Sequence, residues 1–151
     1  MKRYVLLFVA LAALMAGCSN ENEGVKRSID IVGGWHCTPE EFDADIYVDF
    51  IEDGSFDLYQ RVGQGRSRHY AGTWTVERNI LSGSYADGTP WGSSYSVAKL
   101  DDSSISLTAQ NGSVEVMVYR KEAIPDNVKQ ESVDVGSTQC DELDVVERPM
   151  L

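Results

Sequence analysis

Residues 45–60 run Asp45-Ile46-Tyr47-Val48-Asp49-Phe50-Ile51-Glu52-Asp53-Gly54-Ser55-Phe56-Asp57-Leu58-Tyr59-Gln60. Ile46, Val48 and Phe50 alternate with Tyr47 and Asp49, the period of two of a strand with one solvated face. Glu52-Asp53-Gly54-Ser55 is a turn, because Asp-Gly supplies the positive φ that a tight hairpin needs. Phe56, Leu58 and Gln60 then point inward on the return strand. This hairpin sets the grammar for the chain around it.

Upstream, Ile29-Asp30-Ile31-Val32 leads into Gly33-Gly34-Trp35-His36-Cys37, a first strand whose glycines allow a bend. Pro39-Glu40-Glu41-Phe42 is a helical turn or a loop. Downstream, Gly63-Gln64-Gly65-Arg66 breaks the pattern, and a strand resumes near Arg68 with Tyr70, Gly72, Trp74 and Val76 on one face. Glu77-Arg78-Asn79 turns into a strand from Ile80 to Tyr85. A longer loop follows, Asp87-Gly88-Thr89-Pro90-Trp91-Gly92, made of turn residues. Strands from Ser94 to Leu100, Ser103 to Ala109 and Val114 to Arg120 are separated by Asp101-Asp102 and by Asn111-Gly112, the latter a hairpin signal. That makes about eight strands joined by tight turns, with no helix-length apolar pattern to carry parallel crossovers. An all-β, eight-stranded up-and-down antiparallel barrel is expected, because closure removes the exposed edges. A β-sandwich is the competing arrangement.

The chain opens differently. Lys2-Arg3 precedes an apolar run from Tyr4 to Met15 and then Ala16-Gly17-Cys18. A basic start, a short apolar core and small residues make an export signal, too short to span a bilayer as an anchor. Leu14-Met15-Ala16-Gly17-Cys18 resembles the lipobox of bacterial lipoproteins, with Met15 where that pattern prefers leucine. The resemblance implies a diacylglyceryl group on Cys18, cleavage before it and acylation of the new amino group. Two or more acyl chains hold a protein stably on a membrane. An ordinary secreted protein with a chance cysteine is the other reading. The expected organisation is therefore a signal peptide over 1–17, a flexible acidic tether over 18–28, the barrel over 29–121 and an acidic tail over 122–151. Ser19-Asn20-Glu21-Asn22-Glu23-Gly24 also resembles the surface-export signal of Bacteroidota lipoproteins, which implies the outer membrane and leaves its inner or outer face open.

The signal carries two of the thirteen basic residues and no acid, so the rest holds eleven bases against 24 acids, a formal charge of −13. That balance excludes nucleic acid as a natural partner and makes adhesion to anionic lipid depend on the acyl chains. With Cys18 lipidated, Cys37 and Cys140 remain. They match neither a C-x-x-C redox pair nor metal-ligand spacing. In an exported protein a disulfide between them is the natural use, with two buried thiols as the alternative. The tail holds eight acids against Lys129 and Arg148. It reads as a surface segment pinned beside the first strand by that bridge, where Val133 and Val135 supply material for a short edge strand.

Tyr70-Ala71-Gly72-Thr73-Trp74-Thr75-Val76 with Asn79-Ile80-Leu81 and the Asp87-Gly88 turn resembles the lipocalin-like domains of Bacteroidota lipoproteins. Val32-Gly33-Gly34-Trp35 is similar to their opening, Phe50 through Phe56 to their second hairpin, and Val118-Tyr119-Arg120 to their closing strand. The likeness covers residues 31–121. It implies a small barrel with one open end, which takes an apolar small molecule by analogy with true lipocalins.

Catalysis finds little support. No serine sits in a Gly-x-Ser-x-Gly setting, and Asp43, Asp45, Asp49, Asp53 and Asp57 read as solvated surface carboxylates. His69 reads as a solvent-facing residue at a strand start. No calcium-loop spacing occurs, so neither cofactor nor metal is expected, and no enzyme activity. Trp35 and Trp74 suit large anchors at the closed end of the barrel. Trp91 lies in a polar loop, where it either caps the barrel mouth or packs as an anchor of its own loop. With Tyr85 and Tyr95 it forms the candidate site for a small apolar or saccharide ligand. A filled, non-binding barrel acting as a structural or protein-interaction lipoprotein, with an unknown protein partner, is the alternative.

Overall fold

The computed structural model describes residues 29–112, 115–135 and 151. Cys18, Val114 and Cys140, which carry the lipidation, the start of the expected last strand and one half of the expected disulfide, lie outside the described residues. Eight strands follow one another: β1 (Gly33–Cys37), β2 (Ala44–Phe50), β3 (Ser55–Val62), β4 (Arg68–Glu77), β5 (Ile80–Tyr85), β6 (Tyr95–Lys99), β7 (Ser104–Ala109) and β8 (Val116–Lys121). Each pairs antiparallel with the next, and β8 returns to pair with β1. The ring is closed. It is an all-β antiparallel barrel of lipocalin-like fold, and the sandwich arrangement falls away.

The alternation in sequence becomes the inside and outside of the barrel. Ile46, Val48 and Phe50 of β2 and Phe56 and Leu58 of β3 are fully buried in the interior, and Gln60 continues their row at 2% exposure. On β8 the inward side chains are Met117 and Tyr119, while Val116 and Val118 stay exposed. The turns are the expected ones. Gly54 adopts φ 86°, and the Asp53 carboxylate accepts the Ser55 amide at 2.8 Å. Between β4 and β5 the left-handed pair is Arg78 and Asn79, with φ 50° and 64°, a two-residue hairpin turn built without glycine.

Trp35 is buried and donates its indole N–H to the Ile31 carbonyl at 2.8 Å. The Lys121 amine stands 5.7 Å above its ring. Trp74 donates to the Ser55 carbonyl at 2.8 Å and meets Phe50 edge-on at 5.1 Å. Both indoles lie toward the end bearing the 51–54 turn. Cys37 points into the core at 3% exposure. Burial pushes its thiol up to about 11, while a backbone hydrogen bond with Val118 acts in the other direction.

The segment after β8 corrects one expectation. It contains a short helix, α1 (Asp126–Glu131), and a two-residue strand, β9 (Val133–Asp134). The strand forms from the expected valine-bearing segment but pairs parallel with β4, at Arg68 and His69, rather than beside β1. The physical reason is an unfilled edge. β4 is ten residues long and β5 covers only Gly72 to Glu77, so the first residues of β4 offer free backbone groups that β9 takes up. Residues 122–135 thereby form a strap across the outer wall. Gly34 permits its close start, because a Cβ there would lie 2.5 Å from the Glu122 carbonyl oxygen.

Candidate functional site

The three aromatics singled out in the sequence are brought together around Phe56. Tyr85 ends β5, and the following loop doubles back along it. The Tyr85 amide donates to the Thr89 carbonyl at 2.8 Å, and the Trp91 amide to the Gly83 carbonyl at 3.0 Å. This turns the Trp91 side chain inward over Gly83, where a Cβ would come within 2.6 Å of the indole. Phe56 meets Trp91 edge-on at 5.1 Å and Tyr85 at 6.0 Å, and Trp91 meets Tyr95 at 6.4 Å. Trp91 is 6% exposed. It is an interior residue reached from a loop, not an open stacking platform.

Its indole N–H is buried and has no hydrogen-bond partner. An unmade buried bond costs about 1–3 kcal/mol, and an acceptor arriving at that atom recovers it. Burial pushes the Tyr85 phenol well above its ordinary range, and pushes Tyr95 up to about 12 with the nearby Glu115 charge adding to the effect. Both phenols stay protonated donors. The Tyr85 hydroxyl donates to the carbonyl oxygen of Leu151 at 2.6 Å, and the Gly92 amide approaches the same oxygen at 3.4 Å. Leu151 itself is 1% exposed within the barrel core. Sequence reasoning missed it, because one leucine after a polar tail carries no periodic signal.

Beside Tyr95 lies a hollow of about 260 Å3, with Phe42, Ala109 and Met117 as apolar lining and Asn111 and Glu115 as polar lining. Phe42 reaches it from the loop between β1 and β2. The hollow falls just below the usual 300–1,000 Å3 of small-molecule sites, so it suits a small ligand or one end of a longer one.

The outer wall holds a second constellation. The strand register aligns His36, Tyr47, Tyr59 and His69 in one row across β1 to β4. His36 stacks on Tyr47 with ring centroids 4.1 Å apart, and His69 on Tyr59 at 4.5 Å. His36 places Nε2 2.6 Å from Asp45 and Nδ1 2.9 Å from Glu122. His69 places Nε2 2.7 Å from Asp57 and Nδ1 2.5 Å from Asp134. Asp45 and Asp57 are therefore bonded partners of imidazoles, not merely solvated carboxylates, and His69 is clamped rather than free in solvent. Glu122 and Asp134 are the two ends of the strap. Between them Ile124 and Val128 cover Tyr47 and Tyr59. A cleft of about 610 Å3 lies alongside, reached by Arg61 and Arg66 of the barrel and by Asn127 and Glu131 of α1. Both ring nitrogens of each histidine are occupied, so the arrangement ties the strap to the wall. Among the described residues no group of three or more His, Cys, Asp or Glu is placed to hold a metal ion, and no helix is long and apolar enough to cross a membrane.

No protein-family model matches the chain, and no curated protein is significantly similar to it.

Proposed function

We propose that the protein is a lipid-anchored binding barrel of the outer membrane, which takes a small apolar ligand at the mouth bordered by Tyr85, Trp91 and Tyr95. The observation that carries this reading is the hollow beside Tyr95, lined on its apolar side by Phe42, Ala109 and Met117; Tyr95 in turn meets Trp91, whose indole donor is unused. The inward turn of Trp91 favours an apolar ligand over a saccharide, since stacking on a sugar needs an exposed ring face. The anchor rests on the likeness of Leu14-Met15-Ala16-Gly17-Cys18 to a lipobox. The filled-barrel alternative has its own support: Phe50, Phe56, Leu58, Leu81, Leu107 and Tyr119 are all fully buried in the interior.

Titration with the apolar fluorophore N-phenyl-1-naphthylamine discriminates the two. Saturable binding is expected in the parent protein and loss of it in Met117→Trp, which fills the hollow. Absence of binding in the parent favours the filled barrel, and unchanged binding in Met117→Trp refutes the hollow as the site. Independently, Cys18→Ser should release the protein from the membrane fraction. Full retention without any attached lipid would overturn the anchor.

A further inference from the structure

Leu151 stands sixteen residues beyond Val135, the last described residue of the strap, yet its side chain belongs to the same buried cluster as Phe56, Trp91 and Tyr95. Every other buried member of that cluster sits on a strand or within a few residues of one. Leu151 enters from outside that frame. Its carbonyl oxygen is met from two sides, by the Tyr85 hydroxyl at 2.6 Å and by the Gly92 amide at 3.4 Å. These donors flank Trp91, whose own N–H is unpartnered.

We infer that Leu151 is the barrel's resident occupant, a side chain held in cis in the ligand seat, and that an external ligand binds at this corner only by displacing it. The inference rests on the ligand-binding reading above and deepens it. The seat also specifies what it takes. An apolar corner sized for a leucyl group lies beside one hydroxyl and one amide donor converging on a single oxygen. That combination accepts a branched aliphatic body carrying a carbonyl oxygen, the chemistry shared by a leucine-type peptide residue and a branched short-chain acid.

Displacement is within reach because, among the described residues, one side chain and two hydrogen bonds hold the occupant, and one of those bonds is long, at 3.4 Å. Burial of a leucyl group biases such an equilibrium by a factor on the order of 10 to 100. An external ligand sees its apparent affinity lowered by the same factor, since only the vacated fraction can bind. Tyr85 keeps its proton because burial disfavours the phenolate, so its donor remains available to either occupant.

The test uses the full chain and its Leu151→Asp and Leu151→Ala variants, titrated with a synthetic peptide of residues 145–151 and, separately, with 4-methylpentanoate. The peptide should bind both variants at least tenfold more tightly than the parent, and adding Tyr85→Phe to Leu151→Ala should weaken it severalfold. Competition by 4-methylpentanoate identifies a small acid as sufficient, and failure of that competition identifies the peptide. Equal peptide affinity for parent and variants overturns the inference, as does no binding to any of them. Loss of cooperative folding in both variants also overturns it, because Leu151 is then a permanent part of the core. The fluorophore titration reads out separately: its failure with the peptide result intact refutes the hollow beside Tyr95 and leaves the Leu151 seat standing.

Discussion

Replacing Ile124 with alanine should open the strap without unfolding the barrel. Ile124 is 7% exposed and packs on Tyr47, Tyr59 and Val128 in a cluster separate from the barrel interior. The substitution removes three carbons, which at about 0.8 kcal/mol each amounts to roughly 2.4 kcal/mol. No large cavity penalty is added, because the site lies at the surface and can collapse or admit water. At 1.36 kcal/mol per decade, the strap's opening equilibrium shifts by about 60-fold. Hydrogen exchange of single amides measures it. The Val133 amide donates to the Ser67 carbonyl at 2.9 Å and the Val135 amide to the His69 carbonyl at 3.1 Å, and both should exchange about 60-fold faster. Amides of β6 and β7, across the ring from Tyr47 and Tyr59, should keep their protection. An equal loss of protection in strap and barrel would refute the separation of the two clusters. Unchanged exchange at Val133 and Val135 would show that the histidine clamps and β9 hold the strap unaided.

Gly83→Ala places a methyl group against the Trp91 ring and the Thr73 carbonyl, and should cost about 1–3 kcal/mol by overpacking; a red shift in tryptophan emission with a lower melting temperature checks it, and a silent variant refutes the tight seat. Alkaline stability should fall in a set direction. Tyr85, Tyr95 and Tyr119 are raised in the folded state, chiefly by burial, so the folded chain retains protons that the unfolded chain releases above about pH 10. Their contribution is complete below that pH and is lost as pH rises through the folded value, about 12 for Tyr95. Ultraviolet titration should show these phenols ionising together with unfolding; smooth ionisation in an intact barrel would contradict their burial. The proposed bridge between Cys37 and Cys140 predicts no thiol at either position under denaturing, non-reducing conditions. Native labelling does not discriminate, since burial protects Cys37 in either state, whereas two titratable thiols after denaturation would refute the bridge.

The two histidines show how the strap is specified. A carboxylate only accepts hydrogen bonds, and a neutral imidazole has one N–H to give. With both nitrogens of His36 and of His69 facing carboxylates, all four contacts are hydrogen bonds when the rings carry their second proton. These pairs are partly exposed, so each contributes modestly. Their value lies in position, because they fix both ends of a segment whose middle is held by Ile124.

The hairpin from Asp45 to Gln60 was legible because a period of two has one physical meaning: successive side chains of a strand point to opposite faces. The same rule carried through Tyr70, Gly72, Trp74 and Val76, and tight turns between neighbouring strands made a meander the simplest topology. That Phe42, Tyr85, Trp91 and Tyr95 belong to one end of a barrel was only partly readable. Strand order places Tyr85 and Tyr95 near each other, but the inward turn of Trp91 depends on its loop re-pairing with Gly83. The outward position of Tyr47 and Tyr59 was written in their alternation, whereas their burial was not, since it comes from Ile124 and Val128 more than sixty residues downstream. Local sequence determines which way a side chain points from its own strand. What then covers it, whether the strap over Tyr47 or Leu151 over the barrel's aromatic corner, is a contact between distant segments, and only the closed fold brings those segments together.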